Sequence, residues 1–349
     1  MGKKIKCVVW DLDNTIWKGI LSEDSEVQLK PHILEIIKEL DARGILQSIS
    51  SKNYEKYAIE KMKEMGIEEY FIYPQINWES KADSVENIAK SINIGIDTLM
   101  FIDDQPFERD EVSFAHPEVL CIAPPETSEE FLKMDELNPR FITADSKIRR
   151  VLYQTDIIRN EAEMKFNGSK IDFLKTLGMK LSIKEAAEED LQRAEELTVR
   201  THQMNSTGYT YSYEELKELI SSPEYKVLVV KLEDKYGTYG VIGLALLRTH
   251  QKYWNIYLLL MSCRVMSRGI GSVLINFIIN LARENGVELK ARFVPTDRNR
   301  TMYMTYKFAN FSEISNDDNM IVFQADLKSK RIIPDYYTIE FNGIDGIKY

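Results

Sequence analysis

Aspartates recur in this chain where strands should end. Asp11 and Asp13 close the run CVVWDLDNT at 7–15, and Asp103 with Asp104 closes LMFIDDQP at 99–106; SISSKN at 48–53 and ESKAD at 79–83 lie between them. Each segment follows or lies close to an apolar, strand-like run, so a parallel sheet would bring all four to the carboxyl ends of its strands, where open α/β folds keep their sites. Four carboxylates gathered there repel one another, and hard oxygens in that number suit Mg²⁺, so Asp11, Asp13, Asp103 and Asp104 form the expected metal set. With the cation bound, one aspartate can attack phosphorus and carry it as an aspartyl-phosphate. Lys81 and the metal would hold the equatorial oxygens, and Ser51 would donate a hydrogen bond to one of them. Asp13 remains as proton donor and acceptor. Ser50 rivals Ser51 for the hydroxyl role; Ser51 is preferred because it immediately precedes Lys52 and Asn53, where strand should give way to helix.

The elements that position these residues alternate. PHILEIIKELDARG places Ile33, Leu34, Ile36, Ile37 and Leu40 on one helical face, with Gly44 as a stop. ILQSIS reads as a strand, YEKYAIEKMKEMG as a helix, YFIYP as a short strand, ESKADSVENIAKSIN as a helix, and LMFIDD and VLCIAP as strands. Strand and helix in alternation imply an α/β, doubly wound parallel sheet over residues 1–125. The short spacings between motifs are used up by core helices and a small flap, so no separate cap domain fits. An open site of this kind suits a bulky or carrier-attached substrate, or one covered by a second domain. Residues 126–178 read as a helical connector. From Met179 the pattern becomes α+β: MKLSIKEA as a strand, two helices, then KVLVVKLED, YGVIGLALLRT and WNIYLLLMSCRV as an antiparallel run, and an amphipathic helix opened by glycines. This second domain is expected to end at 330, leaving 331–349 as a tail.

Composition bounds the rest. A chain of 349 residues exceeds one typical domain. Its 44% hydrophobic and 29% charged content describes a soluble globular protein. A net charge of −10 and a pI near 5.2 weigh against nucleic acid as the main partner. No apolar run reaches membrane-spanning length and MGKKIKCVVWD shows no signal-peptide pattern, so no membrane partner is expected and the expected location is the cytoplasm. Cys7, Cys121 and Cys263 lie far apart without metal-ligand spacing, which argues against disulfides and zinc.

The four ordered segments resemble those of the haloacid dehalogenase superfamily of phosphatases and phosphotransferases. That resemblance implies Asp11 as nucleophile, Asp13 as acid/base, Ser51 and Lys81 as the second and third motifs, and Asp103 with Asp104 as the fourth. The second half resembles a GNAT acyltransferase domain, in which a strand leads into a glycine-bearing loop and a helix whose free amides bind the pyrophosphate of a pantetheine cofactor. Here that loop runs from Arg264 to Gly271, with Arg268, Gly269 and Gly271 as the implied binding residues; Met266 stands where the GNAT pattern places a basic or glutamine residue. CVVWDLDNTIW, FIDDQPFERDEV, HQMNSTGYTYS, MSCRVMSRGIG and FVPTDRN in that order resemble the FkbH-like family of glyceryl transferase/phosphatases of polyketide pathways, over about residues 4–325. The resemblance implies capture of the glyceryl unit of 1,3-bisphosphoglycerate, loss of the phosphates, and delivery of the unit as a thioester to an acyl carrier protein.

An acyl step needs a nucleophile or direct attack by the carrier thiol. Cys263, at the expected end of a central strand just before the glycine loop, is the preferred acyl-enzyme cysteine, and Cys7, in a strand sheathed by helices, reads as packing. His202 in HQMNSTG is a candidate proton shuttle. Asn205 and Thr207 are candidate substrate contacts, with helix capping as the structural alternative. Arg264 and Arg268 are candidates for a basic patch facing the usually acidic carrier. The competing function is a Mg²⁺-dependent phosphatase whose second domain only binds substrate or carrier. A regulatory phosphate sensor is disfavoured, because a sensor needs no complete set of Asp11, Asp13, Lys81 and Asp103.

Overall fold

The computed structural model describes residues 4–317, 319–343 and 347 and divides into two compact units, Met1–Ile157 and Ile158–Tyr349. Among the described residues no helix is long and apolar enough to cross a membrane.

The first unit holds strands β1 (Cys7–Trp10), β2 (Trp17–Lys18), β3 (Gln28–Leu29), β4 (Leu46–Ser51), β5 (Gln75–Ile76), β6 (Leu99–Ile102) and β7 (Leu120–Ile122). Five form a parallel sheet in the order β5-β4-β1-β6-β7, while β2 and β3 make a separate antiparallel pair. Helices α1 (Pro31–Ala42), α2 (Glu55–Glu64), α3 (Lys81–Ile92) and α4 (Pro106–Ala115) complete the alternation. β1 and β6, covered on both faces, are apolar throughout, while β4 carries Gln47 and three serines; all three strands are buried at every position. Val8, Trp10 and Leu12 pack with Ile33, Ile36 and Leu40 of α1 on one face, while Cys7 and Val9 pack with Val85 and Ile88 of α3 on the other. The short strand expected at YFIYP forms directly after it, at Gln75–Ile76. Tyr73 has a positive φ and Pro74 lacks an N–H, so pairing with Ser50 and Ser51 begins only beyond them.

The stretch 126–178 is shared out between the two units. Helix α5 (Ser128–Leu132) buries Phe131 against Trp10, with ring centroids 6.2 Å apart, and α6 (Ala144–Lys147) follows. Helix α7 (Arg149–Lys165) begins with Arg149 donating to the Gly44 carbonyl at 2.7 Å and Arg150 paired with Asp41 at 3.0 Å. Its later residues belong to the second unit: Arg159 meets Asp234 through two hydrogen bonds of 2.9 Å, with both side chains fully buried, and its guanidinium stacks 3.7 Å from the Tyr239 ring centroid. Helix α8 (Lys170–Lys175) adds Phe173 and Leu174 to that unit's core.

The second unit is an eight-stranded mixed sheet of β8 (Met179–Glu185), β9 (Tyr225–Asp234), β10 (Gly237–Thr249), β11 (Tyr253–Met261), β12 (Glu288–Phe293), β13 (Phe311–Asp317), β14 (Met320–Ala325) and β15 (Tyr337–Phe341). Their order is β13-β14-β12-β11-β10-β9-β8-β15. Helices α9 (Leu191–Arg200) and α10 (Tyr213–Ser221) cover one face, and α11 (Ile270–Glu284) with α12 (Arg300–Phe308) covers the other. The run β9-β10-β11 is antiparallel as expected. β11 and β12 are parallel, joined by α11, and pair only from Tyr253 to Ile256 of β11. The expected tail 331–349 is corrected at 337–341: β15 pairs in parallel with β8, because Tyr337, Ile339 and Phe341 alternate onto the core. Residues 344–346, 348 and 349 of that segment lie outside the described residues.

Candidate functional site

In the first unit the four motifs meet at one end of the sheet. Asp11 continues β1, its N–H donating to the Ile102 carbonyl at 2.9 Å, and Asp103 leaves β6. Lys81 is the first residue of α3, whose N-terminus is capped by the Ser80 hydroxyl. That placement carries the Lys81 ammonium between two strands' carboxylates: Nζ donates to Asp11 Oδ1 at 2.5 Å and to Asp103 Oδ2 at 2.7 Å, with all three side chains buried. Oxygens of Asp11, Asp103 and Asp104 lie within 4.8 Å of one another. Burial pushes the Asp11 carboxyl up to about 7, with Lys81 opposing the rise and Asp103 adding to it. Burial and the neighbouring Asp103 also raise Asp104. Burial works against the Lys81 ammonium, but Asp11 and Asp103 outweigh it and hold the group charged.

Asp13 stands apart from this carboxylate group, which corrects the four-aspartate metal set. The N–H groups of Thr15, Ile16 and Trp17 all turn back onto the Leu12 carbonyl, so the strand's two-residue periodicity ends before Asp13. Its Oδ1 accepts from Trp17 Nε1 at 2.7 Å and from the Leu21 N–H at 3.0 Å, and its Oδ2 accepts from Asn53 Nδ2 at 2.9 Å. The same Asn53 amide reaches Ser51 Oγ at 3.3 Å, tying Ser51 to Asp13. Ser50 is fully buried, and its hydroxyl has no hydrogen-bond partner among the described residues.

Sequence reasoning passed over several residues that frame this site. Lys52 pairs with Glu108 at 2.7 Å, linking the end of β4 to the helix after β6, the strands on either side of β1. Arg109 donates to the Asp103 carbonyl at 2.6 Å, and Lys30 donates to the Asn14 carbonyl. Lys52 and Asn53 adjoin Ser51, and Glu108 and Arg109 lie one helical turn beyond DDQP; that adjacency was the available signal.

The second unit uses its expected ligand groups differently. Beyond Ile256, β11 separates from β12, and the segment Met204–Ser206 lies between them. Met261 N–H donates to the Met204 carbonyl at 2.9 Å, Ser206 N–H to the Leu259 carbonyl at 3.0 Å, and Val294 N–H to the Ser206 carbonyl at 2.9 Å. Asn205 is buried; its Oδ1 accepts from the N–H groups of Thr207 and Gly208, and its carbonyl accepts from Asn299 Nδ2 at 3.0 Å. Its side chain is therefore spent on the turn, and Thr207 is half-buried in that turn. Asn299, the last residue of FVPTDRN, is the clasp between this segment and the loop after β12. His202 is exposed.

Cys263 opens a 3₁₀ turn, Cys263–Arg268, rather than ending the strand, which stops at Met261. A small cleft of about 120 Å³ borders this turn, lined by Met204, Met261, Ser262, Gly269 and Gly271 among others, and Cys263 is not among its lining residues. Gly269 has φ +78°, a conformation that favours glycine, and a Cβ on Gly271 would come within 3.0 Å of Cε at the movable end of Met261. Arg268 is buried and paired with Glu163 at 2.6 Å, and its carbonyl accepts from the Tyr337 hydroxyl. It is thus corrected from ligand contact and surface patch to an internal tie. Arg264 donates to the Tyr239 carbonyl at 2.8 Å.

Asp11, Lys81, Asp103 and Asp104 thus stand together at the end of the sheet. Residues 10–113 match the haloacid dehalogenase-like hydrolase family. A haloacid dehalogenase-like hydrolase domain therefore makes up most of the first unit. The chain is also 34% identical to the N-terminal part of a Bacteroides fragilis protein containing a phosphatase domain, solved in complex with Mg; the match covers 39% of this chain and 41% of that one, with a TM-score of 0.35. Other similar structures include N-acetyltransferases. One from Staphylococcus aureus is 17% identical, covering 42% of this chain and 99% of that one with a TM-score of 0.33. Spermidine N-acetyltransferase from Vibrio cholerae, solved with CoA and spermine, is 19% identical, covering 41% and 92% with a TM-score of 0.32. No curated protein matches the sequence.

Proposed function

We propose that the chain is a bifunctional enzyme of the FkbH-like kind: a Mg²⁺-dependent phosphatase joined to a unit that loads a glyceryl group from 1,3-bisphosphoglycerate onto an acyl carrier protein. The observation that carries the phosphatase half is the Lys81 ammonium bridging Asp11 and Asp103 within a three-carboxylate group. Hard oxygens from Asp11, Asp103 and Asp104 fit Mg²⁺, which when bound neutralises charge on the phosphoryl oxygens. Asp11 attacks phosphorus as the ester P–O bond breaks, and Asp13, oriented by Trp17, Leu21 and Asn53, gives its proton to the departing alkoxide. Water then attacks the aspartyl-phosphate, its proton passing to Asp13, and phosphate leaves. Lys81 and Ser51 hold the transferring oxygens.

Support for the transfer half is the order of motifs in the second half of the chain and the cleft beside the glycine turn. The burial of Arg268 and the position of Cys263 outside that cleft favour a second reading, in which the unit binds substrate or carrier without an acyl-enzyme. Intact mass of enzyme and holo carrier after incubation with Mg²⁺ and 1,3-bisphosphoglycerate tests both. A glyceryl adduct on the carrier supports transfer. An enzyme adduct lost in Cys263→Ala assigns Cys263, and one lost only in Cys7→Ala assigns Cys7. Phosphate release with the carrier mass unchanged leaves the plain phosphatase.

A further inference from the structure

Ile256 and Ala291 form the last rung between β11 and β12, and the next residues, where the two strands part, are Tyr257 and Arg292. Leu289, Ala291 and Phe293 fill the core under α11 and α12, so alternation turns Arg292 to the opposite face, which Tyr257 shares with residues of α9 and α10. There the Arg292 guanidinium lies 3.7 Å from the Tyr257 ring centroid and donates to its hydroxyl at 2.8 Å. Among the described residues no carboxylate pairs with it, although acids outnumber bases in this chain by 55 to 45. Arg248 is different: Glu224 holds it at 2.9 Å, and it reaches the Tyr257 oxygen only at 3.4 Å.

Phenols surround this unpaired cation. Tyr225, at the start of β9, meets Tyr257 edge-on with centroids 5.7 Å apart. Tyr211 is near enough to Arg292 and Tyr225 for both to act on its ionisation; burial above all pushes its phenol up to about 12, so it stays a neutral O–H donor. Glu215, which also acts on Tyr211, is already engaged by the Tyr209 hydroxyl at 2.5 Å and the Ser212 N–H at 2.8 Å. The hydroxyls of Tyr211, Tyr225 and Tyr257 have no acceptor among the described residues. A half-buried guanidinium with most of its N–H groups unused, and O–H groups brought in from separate segments, present positive charge and donors without a competing acid. Three terminal oxygens spread about one phosphorus use such a set more fully than the two coplanar oxygens of a carboxylate.

We propose that Arg292, Tyr257, Tyr225 and Tyr211 form a binding site for the phosphate group of a small phosphomonoester, within the second unit and additional to the phosphatase centre of the first. The inference goes beyond the function proposed above and draws on neither its metal nor its carrier.

The test is calorimetric titration of the full chain in EDTA with glycerol 3-phosphate, inorganic phosphate and glycerate as separate probes. Without Mg²⁺ the carboxylates of the first unit oppose phosphate, and the Arg292 variant separates the two sites in any case. Saturable one-to-one binding of both phosphates is expected, with glycerate at least tenfold weaker. Arg292→Met, which keeps the stem and removes the charge-assisted donors, should weaken glycerol 3-phosphate at least tenfold; Tyr257→Phe, which keeps the ring under the guanidinium, should weaken it about fivefold. Circular dichroism checks the fold of both, and if Arg292→Met does not fold, Tyr257→Phe decides alone. Absence of saturable phosphate binding, glycerate bound as tightly as the phosphates, or affinity unmoved in the folded variants overturns the proposal. Failure of carrier loading would remove the transfer reading and leave this measurement untouched.

Discussion

Charged side chains converge at the end of β1 and are consumed beside the glycine turn. In the first unit Asp11, Asp103 and Asp104 face one another around a single ammonium, an arrangement whose like charges call for a further cation. In the second unit the comparable polar groups turn to the protein itself: Arg268 to Glu163, Asn205 to its own loop, Asn299 to the segment that fills the gap between β11 and β12. Buried charge that serves chemistry is left with an incomplete set of partners, while buried charge that serves architecture has a full one.

The sharpest break in this contrast is Asp11→Asn, which removes the attacking oxygen with little change in volume; phosphate release should fall on the order of 10⁴-fold or more in a protein that still melts cooperatively. Near-normal release by the folded variant would move the nucleophile elsewhere. Lys81→Met leaves two buried carboxylates facing each other without their cation and should cost about 3–5 kcal/mol in urea unfolding, with part regained on adding Mg²⁺. No regain would count against a metal in that group.

On the architectural side, Asp234→Asn strands the buried Arg159 guanidinium and should cost about 3 kcal/mol, while phosphate release at a temperature where the variant is folded stays close to normal. Asn205→Ala frees two turn N–H groups and should cost about 2 kcal/mol. A rise in donor KM with stability unmoved would instead restore Asn205 as a substrate contact. The smallest effect belongs to Tyr337→Phe, which removes one hydrogen bond to the Arg268 carbonyl and should lower stability by about 1 kcal/mol.

How far these regions could be read from sequence differs for the same reason. Asp11, Ser51 and Asp103 each sit at or just beyond the end of a strand, so parallel pairing brings them together, and Lys81 joins them from the first position of α3. Asp13 escaped that logic because the chain turns at Leu12, a local hydrogen-bonding choice that hydrophobic period does not encode. In the second unit, alternation gave β9, β10 and β11 within a residue or two at their starts. What it could not give was the insertion of Met204–Ser206 between two splayed strands, since that contact joins residues far apart in sequence with no periodic signature. Arg268 shows the same limit: an arginine beside glycines reads as an anion contact until Glu163, more than a hundred residues earlier, is found against it.

The parallel pairing of β15 with β8 also bears on how the protein is made. β8 is synthesised ahead of every other strand of its sheet and β15 after all of them, so during translation β8 waits with an unpaired edge while the strands between are added. An exposed edge of that kind invites pairing with other chains. Messages that stall or terminate before codon 337 would therefore yield a nascent product prone to aggregate and dependent on chaperones, even though its phosphatase residues had long since left the ribosome.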